Sequence, residues 1–170
     1  MEEKKSMWPS ALKWGLISGS VVVIFNLILY LIDQTYNNSL NWIAFLILAI
    51  ILFIAIKSYR DNELGGYMSI GNALGLGTVI ALISGLVTAL YFLIYVNVLD
   101  PGFMDESLRI AREKILERGV EGEALEQQMS IIKRFMSPGF MVFMSILWNL
   151  VVGFVLSLIA GAVFKRNQSE

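Results

Sequence analysis

Chemistry in this 170-residue chain has to come from carboxylates, carboxamides and hydroxyls, because the sequence contains neither histidine nor cysteine. Without histidine it lacks the commonest general base, the commonest metal ligand and the usual near-neutral pH switch. Without cysteine it can form no disulfide, thiolate metal site or thiol nucleophile. Most of the carboxylates gather between Asp100 and Ser137, among Arg109, Arg112, Lys114 and Arg118. Asp105 and Arg109 stand four apart, an ordinary pair on a helix surface. Glu113 and Glu117 share that spacing, but two carboxylates without further ligands are a weak metal signal. The run GNALGLG at 71–77 is glycine-rich, yet it lies in an apolar stretch and no Lys follows it as in a phosphate loop. No nucleophile, base and orienting group can be assembled. The sequence therefore predicts a protein that is not an enzyme, with no catalytic residue, no metal and no cofactor.

The second set of candidates is uncharged and lies inside long apolar runs: Asn26, Asn72, Asn97 and Asn149, with Thr78, Ser84, Thr88, Tyr91 and Tyr95. A carboxamide facing lipid leaves its polar atoms unpaired. Asn26 and Asn149, deepest in their runs, are thus expected to turn inward and bond across helices. Glue between helices is the plainer role for such residues. The functional alternative is a polar cavity around Asn26, Ser84, Thr88 and Asn149 that takes a small molecule or a lipid headgroup. Tyr91 and Tyr95, like Trp8, Trp14 and Trp42, read as aromatic belts at a membrane surface.

The elements that must position these residues are long and apolar. Charged residues make up 16% of the chain and mean hydropathy is +0.68, against about 25% charged in soluble domains. The expected fold is an all-α membrane protein of one domain, with four spans at about 14–33, 40–57, 69–99 and 138–164. The first run follows a positively charged start, but it is long for a signal sequence and no small-residue cleavage site comes after it. Asn37, Asn38 and Ser39 form a capped turn before the second run, which has no glycine and no small face. Gly65 and Gly66 mark a turn into the third.

The third run, uncharged from Ser69 to Leu99, is the expected centre of the bundle. Gly77, Ala81, Gly85 and Ala89 recur every fourth residue, with Gly71 and Gly75 in the same rhythm before them. Such a row makes a flat face where another backbone can come close. Gly15 and Gly19 offer a similar face on the first run, and Gly153, Ser157 and Gly161 on the last. Packing within the bundle accounts for most of these rows, while one of them could serve a second copy or another protein.

The segment 100–137 differs in kind. Asp100-Pro101 and Ser137-Pro138 each read as a cap followed by proline in a first helical turn. Met104, Leu108, Ala111 and Ile115 form one apolar stripe, and Leu125, Met129, Ile132 and Met136 form another. Gly119 to Gly122 separates them. The expectation is a charged helical hairpin outside the membrane. Ile110, Leu116, Ile131 and Phe135 lie beside the stripes and widen the apolar face beyond what self-closure needs.

Lys4, Lys5, Lys13, Lys57, Arg60, Lys165 and Arg166 all fall on one side of such a bundle, and the turn after the first span has no basic residue. Both termini are expected in the cytoplasm and the hairpin outside. Leu16-Ile17-Ser18-Gly19 recurs as Leu82-Ile83-Ser84-Gly85. That could mark a parallel repeat, although in so biased a composition a match of four residues is easily accidental.

The chain resembles the DUF4199 family of small membrane proteins, known mainly from Bacteroidota. The resemblance rests on Lys13-Trp14-Gly15-Leu16, Gly65-Gly66-Tyr67-Met68-Ser69-Ile70-Gly71, Asp100-Pro101-Gly102-Phe103 and Phe135-Met136-Ser137-Pro138-Gly139-Phe140. It implies a four-span protein of the inner membrane with a helical insert before the last span, and it brings no activity with it. Two expectations follow. The first is a subunit or accessory protein of a membrane complex, in contact with membrane lipids and with a second copy or a membrane-protein partner. It would associate through the hairpin and the glycine-rich helix faces. The second is a facilitative carrier of small molecules or lipids through the uncharged cavity. With a net charge of −1 and no basic stripe, nucleic acid is not an expected partner.

Overall fold

The computed structural model describes residues 6–166, the side chain of Asn38 excepted. Lys4 and Lys5, which enter the charge asymmetry, lie outside the described residues. The helices are α1 (Trp8–Leu31), α2 (Asn38–Asn62), α3 (Ile70–Ile94), α4 (Phe103–Leu116), α5 (Gly122–Phe135) and α6 (Pro138–Phe164), with a five-residue π-helical continuation of α3 at Tyr95–Leu99. Four of the helices, α1, α2, α3 with its continuation and α6, are long and apolar enough to cross a membrane. Among the described residues the sole extended pairing is an isolated antiparallel bridge between Met68 and Arg166.

Helix ends depart from the apolar runs where backbone hydrogen bonding ignores side-chain charge. α1 begins at Trp8 with Pro9 in its first turn, and so contains Lys13. It closes on Asp33, at φ +56, a left-handed turn that Asp tolerates better than most side chains. Asn37 caps α2 by accepting from the Ser39 N–H at 3.1 Å. α2 then runs past Lys57 and Arg60 to Asn62. Gly65 and Gly66, at φ +64 and +90, make the turn that leads to α3.

The chain divides into two compact units, one running through Thr88 and resuming at Ile146, the other Ala89–Ser145. In the first, α3 lies between α1 and α6, and both contacts depend on small residues. Along α6, Gly161, Ser157, Gly153 and Asn149 stand against Ala73, Gly77, Ala81 and Gly85 of α3. Every four-residue step along α3 is matched by a four-residue step back along α6, so the helices are antiparallel and in register. The approach is close enough to leave no room for methyl groups. A Cβ on Gly77 would lie 2.8 Å from that of Ser157, one on Gly161 would lie 3.0 Å from that of Ala73, and one on Gly153 would collide with Ala81. On the other side, Gly15 and Gly19 of α1 receive Ile83 and Val87. A Cβ on either glycine would lie 2.7 Å from its neighbour's Cβ. Ser84 donates to the Ser18 hydroxyl at 3.2 Å across this contact, with both residues buried.

Gly71 and Gly75 do not join these faces. A Cβ on Gly71 would meet nothing but Ser69 Oγ, and one on Gly75 nothing but the Met7 thioether. Spaced four apart, they are two residues out of step with Gly77 and so lie on another side of α3, while the row that meets α6 continues through Ala73.

The end of this unit that carries the basic residues is tied together by polar contacts. Arg60, nearly buried, donates from Nη1 to the Phe164 carbonyl at 3.3 Å and lies over the Phe164 ring. It also pairs with Asp61 at 2.6 Å. Ser10 donates to Glu63, and Met68 and Arg166 exchange backbone hydrogen bonds at 3.1 and 3.2 Å.

In the second unit, α4 and α5 pack on each other around Ile115, Leu125 and Met129, with Leu108, Val120 and Ile132 at the margin. Arg112 and Glu126 pair across them at 2.9 Å. The expected cap at Asp100 is displaced: α4 starts at Phe103, after Gly102. The Asp100 carboxylate instead accepts from the Tyr95 hydroxyl at 3.0 Å. Tyr95 is buried among Tyr91 and Phe103 rather than set out in an interfacial belt. Ala89 is also buried, at the start of this unit.

Candidate functional site

The polar residues of α3 and α6 reach a groove of about 280 Å³ within the first unit. Ser84 and Thr88 come from α3, Asn149 from α6 and Asn41 from the first turn of α2. The apolar wall is Val22 of α1, Ala44, Phe45 and Leu48 of α2, and Trp148 and Val152 of α6. Among the described residues no charged one lines it. Asn41 and Leu48 are seven residues apart, so that wall runs about 10 Å along the helix at 1.5 Å per residue.

The polar groups differ in what they leave available. Ser84 is buried and spends its proton on Ser18. Thr88 donates to the carbonyls of Ser84 and Gly85, both at 3.1 Å, which leaves its oxygen as an acceptor. Asn149 lies against Gly85, where a Cβ on the glycine would come within 3.2 Å of the asparagine Cβ. Asn41 is exposed, and its carboxamide makes no side-chain hydrogen bond among the described residues.

Three of the four residues expected around a cavity are therefore brought together, and Asn26 is not. Its Nδ2 donates to the Val22 carbonyl at 2.8 Å, one turn back on its own helix. A side-chain amide that can satisfy itself on the i−4 carbonyl has no need of a partner helix, which is why the expected cross-helix bond is absent. Asn41 and Trp148 complete the groove. Asn41 falls at the start of the second expected span, 40–57, and is not among the polar residues singled out there. Trp148 reads as one more apolar residue.

The second candidate surface is the outside of the α4–α5 pair. Leu116, Ile131 and Phe135 remain 40%, 55% and 54% exposed. Ile110 is half-buried, and the Phe135 ring packs edge-on against Phe140. The charged side of α4 is arranged differently from the spacing of Asp105 and Arg109. Arg109 reaches Glu106, three residues back, and Glu113, four residues on. Its hydrogen bond holds the Glu106 carboxyl below the ordinary glutamate range, and the same contact raises the guanidinium. With Glu113 engaged in this way, the pair Glu113 and Glu117 forms no isolated acidic site.

Two regions thus separate cleanly, an uncharged groove among long apolar helices and a charged helix pair with apolar residues to spare. Neither a curated protein nor a solved structure matches the chain. A family model does, over residues 13–166, which takes in every helix from within α1 to the bridge at Arg166. Matched over nearly all its length, the chain belongs to DUF4199, whose description is "Protein of unknown function".

Proposed function

We propose that this chain is a non-enzymatic multi-pass protein of the inner membrane, with both termini in the cytoplasm, that serves as a subunit or accessory protein of a membrane complex. The α4–α5 pair is the helical hairpin outside the membrane, and its apolar outer face docks a protein partner. One observation carries this reading. The pair closes its own core with Ile115, Leu125 and Met129, yet keeps Leu116, Ile131 and Phe135 in the open. The small-residue rows of α1, α3 and α6 add support by elimination. Gly15, Gly19, Gly77, Gly85, Gly153 and Gly161 are occupied by neighbouring helices of the same chain, which leaves the hairpin as the favoured surface for association. The orientation rests on the basic residues of the short connections.

The test is a comparison of tagged wild-type protein with Ile131→Glu/Phe135→Glu, both purified gently at native abundance. Quantitative mass spectrometry and native gels would then give the composition and size of each assembly. The expected result is a stoichiometric assembly for wild type that falls apart in the double variant, with membrane insertion unchanged. An assembly that survives both substitutions overturns the hairpin reading.

A further inference from the structure

We propose that the groove among α1, α2, α3 and α6 is a binding site for an uncharged, hydroxyl-bearing acyl ester, of the mono- or diacylglycerol class. A ligand with a phosphate or carboxylate would enter a lining with no cation among the described residues, and an unpaired charge in such surroundings is heavily penalised. A pure hydrocarbon would leave the half-buried Thr88 oxygen without a partner and make no use of the Asn41 carboxamide at the end of the groove.

The available groups set the complementary chemistry. Asn41 offers two N–H donors and a carbonyl acceptor. Thr88, whose proton is committed to its own helix, offers lone pairs only. The ligand must therefore carry carbonyl oxygens for Asn41 and a hydroxyl proton for Thr88. It must also carry hydrocarbon for Val22, Ala44, Phe45, Leu48 and Val152. A glycerol ester with a free hydroxyl has all three within the length of the groove. Asn41 lies in the first turn of α2, next to the end of an apolar helix that starts at Ser39. The polar part of the ligand thus has a route to the end of the span while its chain lies along the helices. Trp148, 66% exposed, forms the rim on α6.

The experiment uses the full chain in phosphatidylcholine nanodiscs containing a photoactivatable, alkyne-tagged diacylglycerol, with adducts mapped by peptide mass spectrometry. Labelling is expected within 41–48 and 148–152, saturable, and competed by unlabelled diacylglycerol but not by phosphatidylglycerol of the same chains. Asn41→Leu with Thr88→Val should cut it about tenfold or more, because the hydrogen bonds to the ligand from both residues are lost. Both changes leave the packing interfaces untouched, and melting in the same discs should match wild type. Ala44→Trp, which fills the groove without touching its polar groups, should abolish labelling independently. The proposal is overturned by labelling spread evenly over the lipid-facing helices. It is equally overturned by competition from phosphatidylglycerol, or by labelling that persists in the double variant and in Ala44→Trp.

Discussion

Gly153 is the position where a single methyl group decides the most, because its backbone rests on the Ala81 side chain. Gly153→Ala should cost about 1–3 kcal/mol, the usual range for overpacking, read as a lower melting temperature or earlier unfolding in mixed micelles. Ala81→Gly added to it should return most of that loss, because the methyl group has only changed helices. Gly139→Ala is the control. Nothing lies within 4 Å of its Cβ position, and stability should move by less than about 0.5 kcal/mol. The small residues at 77, 81, 85, 153, 157 and 161 were legible in the sequence, since spacing and size are both visible there. Their pairing was not. Gly71 and Gly75 are also four apart but two residues out of step with Gly77, which turns them about 200° around the helix, and Ala73 continues the row instead. Asn26, expected to bond across helices, bonds to its own helix instead. An amide that can bond either to its own helix or across to another looks the same in both cases.

Among the elements, α4 depends most on ionisation. Glu106 holds its proton less tightly when folded than a free glutamate does, because Arg109 bonds to the charged carboxylate. Its contribution to stability is therefore complete above the ordinary glutamate value of about 4.3 and disappears as pH falls through the lower folded value. Helicity measured by circular dichroism should drop below about pH 4 in wild type. In Glu106→Gln that step should be smaller, with the lower helicity already present at neutral pH. The sequence located α4 and α5, and of their two stripes Leu108, Ile115, Leu125, Met129 and Ile132 are the residues that pack together. It misplaced the start of α4 by taking Asp100 for a cap, because the buried Tyr95 hydroxyl that claims that carboxylate is brought to it by a π-helical turn, which has no signature in composition. In the sequence Arg60 counts as one of the basic residues on one side of the bundle. Its role in holding the Phe164 carbonyl became visible only once the last helix was in place.

Over the whole molecule, the register of α3 against α6 organises the first unit, and the absence of native cysteine makes it directly measurable. Gly85→Cys with Asn149→Cys should form a disulfide readily, since Cβ atoms there stand about 3.2 Å apart, close to the 3.5–4.5 Å of ordinary bridges. Gly85→Cys with Gly161→Cys, three turns away along α6, should not, and mobility on non-reducing gels tells the two apart. The two Leu-Ile-Ser-Gly copies also meet at this scale, joined by the bond between Ser18 and Ser84. Their glycines then diverge, Gly19 facing α3 and Gly85 facing α6, so the likeness of the copies does not extend to their packing. The zipper has a consequence for biosynthesis. Gly85 leaves the ribosome well before Asn149, and at about 5–20 residues per second the 63 intervening residues take several seconds to be made. Throughout that interval α3 has α1 on one side and a bare glycine face on the other. The nascent chain is therefore committed to a half-built bundle, open to any helix with a small flat side, until its own last segment arrives and closes the seam from Asn149 to the bridge at Arg166.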